Sequence, residues 1–333
     1  MTVGANGAGS RRAAAPAVAT EGDLRVAVVA KERAAEGVVR LTLAPADGRE
    51  LPPWTPGSHL DLRLAPGLDR QYSLCGSPAD RQAWQIAVLR EPRSRGGSAY
   101  IHDRLMVGDL LTVRGPRNHF RLETSRRYIF VAGGIGITPI VPMVAAVAAE
   151  GAKWRLLYGG RHRDSMAFCG LLGGYGDQVQ LWPQDQLGLL PLDEVLGTPQ
   201  SDTLVYCCGP EALLAAVEQR CAVWPAGALH VERFTAKEIA QPPRQLSFRV
   251  VCRRSGLTVE VPPDRSVLEA LEQVGVPVTP SCREGTCGSC ETDVLSGRPD
   301  HRDSVLSPAE QESGRQMMIC VSRSLDGELV LDI

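Results

Sequence analysis

The chain has 333 residues, 44% of them hydrophobic, which is more than one core usually holds and sets two or three domains as the expectation. Its 36 basic and 38 acidic residues leave a formal net charge of −2, which gives no general attraction to nucleic acid or to a membrane surface. Aromatic residues, at 5%, are too few for a base-stacking platform. The N-terminal stretch 1–22 is rich in Ala and Gly, carries Arg11 and Arg12, and is interrupted by Pro16 and Thr20, so it reads as a disordered tail and not as a signal peptide. The longest apolar run elsewhere, Ile135 to Ala149, contains Pro139 and Pro142 and is too short to span a bilayer. A cytoplasmic protein without membrane or nucleic-acid partners is expected.

Residues 23–124 alternate short strands with turns. Leu24–Ala30, Val38–Leu43, Ser58–Leu64, Gln71–Leu74, Gln85–Arg90 and Leu110–Val113 read as strands, and Ala99–Met106 as a helix. Strands at this spacing, punctuated by Gly and Pro, predict a closed antiparallel barrel. The pattern changes over 125–236. Tyr128–Ala132, Trp154–Tyr158 and Thr203–Cys208 are apolar strands, with helices at Ile140–Glu150 and Glu211–Cys221. Strands alternating with helices predict a parallel sheet covered on both faces. The stretch 237–246, with Pro242 and Pro243, reads as a linker. In 247–333, Ser247–Cys252 and Thr258–Val261 form a hairpin pattern, and a helix follows at Ser266–Val274. Further extended segments lie at Glu291–Leu295, Gln316–Val321 and Glu328–Leu331.

Ten cysteines are present, and four of them cluster late: Cys282, Cys287, Cys290 and, thirty residues further on, Cys320. The spacing C-x4-C-x2-C with one distant cysteine is that of a plant-type [2Fe–2S] site. Three ligands on one tight loop need a sharply bending backbone, which Gly285 and Gly288 allow. A four-cysteine zinc site is the alternative, but structural zinc sites usually pair two C-x2-C knuckles and the second knuckle is missing here. The segment resembles a plant-type ferredoxin domain with a β-grasp fold.

Arg70-Gln71-Tyr72-Ser73 lies on a barrel strand. An Arg can pair with a phosphate, a Tyr can stack on a flat ring, and a Ser hydroxyl can hydrogen-bond at the ring edge. Alone, the string also fits a solvated strand face with a half-buried ring. The neighbouring strand ends at Val88-Leu89-Arg90, and Gly96-Gly97-Ser98 then opens the helix at Ala99. Glycines before a helix N-terminus make an anion site, although the same residues also serve as an ordinary cap. The two features together are similar to the R-x-Y-S flavin domain of ferredoxin reductases, in its FMN-using branch.

Gly133-Gly134-Ile135-Gly136-Ile137-Thr138-Pro139 joins a buried strand to a helix, the setting of a dinucleotide-phosphate turn. The string departs from the G-x-G-x-x-G of dehydrogenases and matches the G-G-x-G-x-T-P of ferredoxin reductases. Cys208-Gly209-Pro210 ends a second buried strand at the same sheet edge. Arg161, with Arg163 and Asp164, follows the strand where ribose recognition falls. An acid there favours NADH, and arginines accommodate the extra phosphate of NADPH.

The order of flavin barrel, nucleotide domain and ferredoxin domain, together with Asp300-His301-Arg302-Asp303, resembles the phthalate dioxygenase reductase and vanillate demethylase reductase family over nearly all of 23–333. The resemblance implies a multi-domain protein: an antiparallel β-barrel flavin domain, an α/β parallel-sheet nucleotide domain and an α+β β-grasp ferredoxin domain. It implies FMN, a [2Fe–2S] cluster and NADH, with NADPH as the alternative. It also implies a monomeric reductase whose electrons go to a terminal oxygenase, a Rieske non-haem iron protein or, alternatively, a cytochrome P450. In that family the aromatic matching Phe234 lies by the flavin, with Glu232 nearby. No acid–base catalyst is expected, because hydride and electron transfer demand placement more than proton transfer. A zinc-bearing binding module without redox activity is the reading from a different class.

Overall fold

The computed structural model describes residues 22–92, 94–237, 246–278 and 280–333. The expected N-terminal tail, except for its last residue, and most of the expected linker lie outside the described residues.

Six antiparallel strands, β1 (Leu24–Ala35), β2 (Val38–Pro45), β3 (His59–Ala65), β4 (Leu68–Ser73), β5 (Trp84–Leu89) and β6 (Leu110–Arg117), lie in the order β4-β3-β6-β1-β2-β5. The sheet closes where Leu74, one residue past β4, bridges Ile86 of β5. Inward positions alternate along each strand, as a pleated barrel requires. Val26 and Val28, Leu41 and Leu43, and Leu60 and Leu62 are sealed from solvent together with Trp84 and Ile86. Each such side chain contributes about 1.5–3 kcal/mol on burial. Helix α1 (Gly97–Asp103) starts earlier and ends sooner than the sequence predicts. Its end is set by Lys31, whose ammonium donates to the carbonyls of His102 at 2.9 Å and Leu105 at 2.8 Å. A cation there satisfies carbonyls that a longer helix would have used.

The second sheet is wholly parallel. It contains β7 (Arg127–Gly133), β8 (Lys153–Gly160), β9 (Val179–Pro183), β10 (Thr203–Cys208) and β11 (Leu229–Glu232), in the order β11-β10-β7-β8-β9. Successive residues of β7 face opposite cores. Phe130 and Ala132 pack with Ile140 and Val144 of α2 (Ile137–Ala149). Ile129 and Val131 belong to the core that holds Leu214 and Val217 of a later helix, Glu211–Cys221. Both faces are therefore covered, which explains the unbroken apolar run of the central strands. Three short helices, α3 (Cys169–Leu172), α4 (Gln184–Leu187) and α5 (Leu192–Leu196), precede β10, and α6 is Glu211–Cys221. The chain runs outward from β7 to β8 and β9, then returns to place β10 on the other side. The carboxyl ends of β7 and β10 thus flank a topological switch point, where open α/β sheets bind ligands. Helix α2 begins at Ile137 because Pro139 is tolerated in a first turn. The outer strands β9 and β11 carry no fully apolar run, so the sequence pattern for buried strands passes over them.

The third sheet contains β12 (Phe248–Cys252), β13 (Thr258–Val261), β14 (Glu291–Ser296), β16 (Gln316–Met318) and β18 (Glu328–Leu331), in the order β13-β12-β18-β14-β16. A small pair, β15 (Pro299–Asp300) and β17 (Arg323–Ser324), lies apart, and α8 spans Pro308–Ser313. Helix α7 (Val267–Gln273) starts with a capping box between Ser266 and Glu269 and buries Val267, Leu268 and Leu271 against Val250 and Leu329. The extended segment expected over Gln316–Val321 stops at Met318. There Val321 and Ser322 donate to the Met318 carbonyl at 3.2 and 2.9 Å. This turn brings Cys320 out of the ladder and toward the cysteine loop.

The barrel is tied to the second sheet by a short joint. The Asn118 side chain donates to Thr55 Oγ1 at 2.8 Å and to the Pro56 carbonyl at 2.9 Å. It also accepts from the Phe120 amide at 3.0 Å, and the Phe120 ring packs edge-on to Tyr206 at 5.5 Å.

Candidate functional site

The four late cysteines come together. Cys282, Cys287 and Cys290 lie on the loop between α7 and β14, and Cys320 lies on the turn after β16. The Cys282 thiol is within hydrogen-bonding reach of Cys287 and Cys320, and Cys290 reaches Cys320. None of the four is in a disulfide. The Cys287 and Cys320 thiols that bond to Cys282 draw its pKa far below the ordinary thiol value, and the same contacts push Cys287 and Cys320 up. The amides of Glu284 and Thr286 point at the Cys282 sulfur from 3.3 and 3.5 Å. Among the described residues no group of three or more His, Cys, Asp or Glu is spaced to hold a single metal ion. The four thiols lie in a continuous run of contacts, Cys287 to Cys282 to Cys320 to Cys290, and two backbone amides aimed at the Cys282 sulfur add the kind of donors that thiolate ligands take. These residues fit a [2Fe–2S] cluster.

On the barrel, the Arg70 guanidinium donates to the backbone carbonyls of Asp69 at 2.7 Å and Arg95 at 2.5 Å, and its side chain runs over Gly97. Burial and then the neighbouring Arg95 cation lower its pKa. Among the described residues no carboxylate pairs with Arg70, so this edge of the barrel has basic charge to offer a phosphate. Gln71 and Tyr72 are half-buried and Ser73 is buried. The Val88 side chain packs in the barrel core and its carbonyl is bonded by His102 Nε2 at 2.9 Å. Leu89 packs with Ile135 beside the second sheet, and Arg90 pairs with Asp103 at 2.8 Å. The turn at Gly96–Ser98 has a keeper that the sequence does not announce. Ser94 accepts from the amides of Gly96 at 3.1 Å and Ala99 at 3.3 Å and from the Ser98 hydroxyl at 2.9 Å.

At the switch point the two glycine turns face each other. A Cβ on Gly136 would overlap the Cys208 carbonyl and stand 2.7 Å from the Gly209 nitrogen, and one on Gly133 would stand 2.8 Å from Pro210. Neither turn can widen without moving the other. Gly134, with φ +55°, lies open to solvent. The buried Thr138 hydroxyl donates to the Ile135 carbonyl at 2.9 Å and so braces this turn from within. Arg161 is exposed just past β8, and its carbonyl accepts from the Asp185 amide at 3.0 Å. The Asp164 carbonyl is taken by the Glu36 amide of the barrel at 2.7 Å, which ties that residue to the domain joint. Phe234 is 41% exposed, a surface aromatic at the sheet edge and not a core residue.

One convergence has no signature in the sequence. The Ser73 hydroxyl at the end of β4 donates to Glu232 Oε2 at the end of β11 across 3.5 Å, and Cys208 Sγ at the end of β10 lies 3.9 Å from the same oxygen. Residues 159 positions apart meet here, so only the fold reveals the cluster.

The profile of the 2Fe-2S iron-sulfur cluster binding domain matches residues 250–325. The chain is 45% identical to the phenoxybenzoate dioxygenase subunit beta of Ectopseudomonas oleovorans, covering 87% of this chain and 91% of that one. It is 38% identical to the phthalate dioxygenase reductase of Burkholderia cepacia, covering 94% and 98%. A solved phthalate dioxygenase reductase, described as a modular structure for electron transfer from pyridine nucleotides to [2Fe-2S], superimposes with a TM-score of 0.68 at 38% identity over 94% of this chain and 98% of that one. The chain belongs to the phthalate dioxygenase reductase family. An intact type IV self-sufficient cytochrome P450 monooxygenase also matches, with a TM-score of 0.89 and 44% identity over 93% of this chain. The chain spans only 41% of that P450. As a phthalate dioxygenase reductase homologue the chain is an electron-transfer oxidoreductase, and its architecture is the expected one of barrel, parallel sheet and ferredoxin domain. Among the described residues no helix is long and apolar enough to cross a membrane.

In this reductase homologue Glu232 is titratable in an unusual range. Burial pushes its carboxyl up to about 8, against smaller opposing effects from the Ser73 and Cys208 bonds. A carboxyl with a raised folded pKa favours the folded state only while it is protonated. As pH rises above its unfolded value near 4.5, ionisation stabilises the unfolded chain and stability is lost progressively up to about pH 8. Glu232→Gln keeps the neutral shape and escapes this penalty. Its melting temperature is expected to exceed that of the natural protein at pH 8, by an amount that shrinks to nothing near pH 4. Scanning calorimetry across this range checks it, and an offset independent of pH would contradict the assignment.

Proposed function

We propose that this protein is the reductase component of an oxygenase system, moving electrons from NADH by way of FMN and a [2Fe–2S] cluster to a terminal Rieske non-haem iron oxygenase. The observation that carries this reading is the meeting of the barrel, nucleotide-sheet and cluster elements at one place. Gln71, next to Arg70 on the R-x-Y-S strand, donates from Nε2 to Ser281 Oγ at 2.5 Å, and Ser281 precedes Cys282. Ser73, two residues along, reaches the edge of the nucleotide sheet through Glu232.

In this reading Arg70, Gly96, Gly97 and Ser98 hold the flavin phosphate, and Gln71, Tyr72, Ser73 and the strand end Val88–Arg90 line the ring. Gly133, Gly134, Gly136 and Thr138 form the turn that takes the nucleotide diphosphate. Cys208, Gly209 and Pro210 face the nicotinamide, and Phe234 lies by the flavin. Arg161 lies by the ribose, with Arg163 and Asp164 on the same loop. Cys282, Cys287, Cys290 and Cys320 ligate the cluster. When bound, the flavin would accept a single hydride, two electrons together, and the cluster would carry them one at a time. The protein's own part is to bind, orient and exclude water. The three sheets, with their separate cores, support reading 23–124, 125–236 and 247–333 as domains. A monomer in the cytoplasm completes the proposal.

Loss of the phosphate contact tests the flavin placement. Arg70→Ala removes a charge-assisted contact of about 1.5–3 kcal/mol, so the FMN dissociation constant should rise about 10- to 100-fold. Equilibrium dialysis giving an unchanged value would refute it. The cytochrome P450 reading is favoured by the match to a self-sufficient P450. Reduction of a Rieske oxygenase component and of an isolated P450 haem domain by the same preparation separates the two, and faster P450 reduction would reverse the preference.

A further inference from the structure

Among the described residues the barrel meets the cysteine loop through contacts of different kinds. Arg95 pairs with Glu284, but their side chains are 57% and 37% exposed, and such pairs contribute little and are screened by salt. Gln71 divides its amide between Asp61 at 2.9 Å and Ser281. The third contact is steric. Gly288, with φ +71°, lies against the His119 ring. A Cβ there would overlap Nε2 and stand 2.5 Å from Cε1 and 2.7 Å from Cδ2. The His119 Nδ1 is 3.7 Å from the Glu291 carboxylate, and the His59 ring, 6.1 Å away, lies beside the Cys287 backbone.

His119 sits between two anchored residues. Asn118 before it is bonded to the Thr55–Pro56 loop, and Phe120 after it is buried against Tyr206. The ring is therefore presented by a joint that belongs to the barrel and to the nucleotide sheet at once. It bears on the backbone between two of the cluster cysteines, where the loop cannot yield without moving Cys287 or Cys290. We propose that His119 is the positioning residue that sets how closely the cluster loop approaches the flavin edge of the barrel. The proposal rests on the function given above. Its reach follows from the steep fall of electron transfer with distance: the ring buttresses the loop at Gly288, and without it the loop is free to sample longer separations from the barrel edge.

The test uses the full-length holoprotein with His119→Ala and His119→Phe. Hydrogen exchange of peptides covering 281–291 reads the loop without reference to turnover. Stopped-flow absorbance after mixing with NADH reads cluster reduction, and NADH–ferricyanide turnover reads the flavin alone. In His119→Ala, loop exchange should quicken and cluster reduction should slow by about tenfold or more, while ferricyanide turnover stays within about twofold. His119→Phe, which restores a ring without the imidazole, should return both loop exchange and cluster reduction toward the natural values. Unchanged exchange and cluster reduction in His119→Ala would overturn the proposal. So would failure of His119→Phe to rescue, because ring packing would then not be what holds the loop. Absence of flavin or iron from the natural protein would instead count against the function itself.

Discussion

Cys282→Ser is expected to abolish the cluster while leaving the flavin half of the protein working. Cys282 is the thiol that both Cys287 and Cys320 reach and at whose sulfur the amides of Glu284 and Thr286 point. Serine offers no comparable ligand, since soft thiolates are what iron–sulfur sites require. Iron should fall from about two per chain to near zero, and the cluster absorbance should go with it. The apolar core of the ferredoxin sheet, built on Val250, Leu268, Leu271 and Leu329, makes no use of the Cys282 thiol. The rest of the chain should therefore fold, and NADH–ferricyanide turnover should stay near the natural level. Reduction of cytochrome c, which needs a single-electron exit, should drop by about two orders of magnitude, as loss of an obligatory placed group commonly does. Iron analysis, a visible spectrum and the two acceptor assays check this. A protein that contains zinc alone and turns over normally would contradict the assignment.

Gly136→Ala is expected to damage the nucleotide half as severely. The added methyl would meet the Cys208 carbonyl and the Gly209 backbone, atoms at the end of a central strand that have no room to retreat. The Gly133–Gly136 turn and the Cys208–Pro210 turn would be forced apart at the switch point. A displacement of about 1 Å at a hydride-transfer site can cost on the order of 100-fold in rate. NADH-dependent turnover with any acceptor should fall by about that factor, whereas dithionite should still reduce both cofactors and their content should be unchanged. Steady-state kinetics beside cofactor analysis tests it. Normal kcat/KM for NADH would show that the two turns do not enclose the nicotinamide.

The cysteine spacing, the R-x-Y-S strand and the two glycine turns are local strings, and each was readable because its chemistry is carried by neighbours in the chain. The central strands of the parallel sheet were equally plain, since Tyr128–Ala132 and Thr203–Cys208 are buried on both faces and stay apolar throughout. Outer strands β9 and β11 were not, because an edge strand with one partner keeps polar residues such as Gln180 and His230. The turn at Ile319–Val321 looked extended because its residues are apolar. It turns because Cys320 must face the cysteine loop. Long-range meetings were the least legible. Ser73, Cys208 and Glu232 share no spacing or pattern, and the resemblance gathers Ser73 and Glu232 only loosely around the flavin; their hydrogen-bonded meeting, and that of His119 with Gly288, comes from the fold.

The central claim is the linear order of nicotinamide, flavin and cluster, and anaerobic mixing of NADH with the full-length protein tests it most directly. Absorbance follows the flavin, and electron paramagnetic resonance of rapidly frozen samples follows the cluster. The flavin should bleach first and the signal of the reduced [2Fe–2S] cluster should rise after it, with no such signal in flavin-stripped protein. A cluster that NADH reduces as fast without flavin as with it would contradict the path.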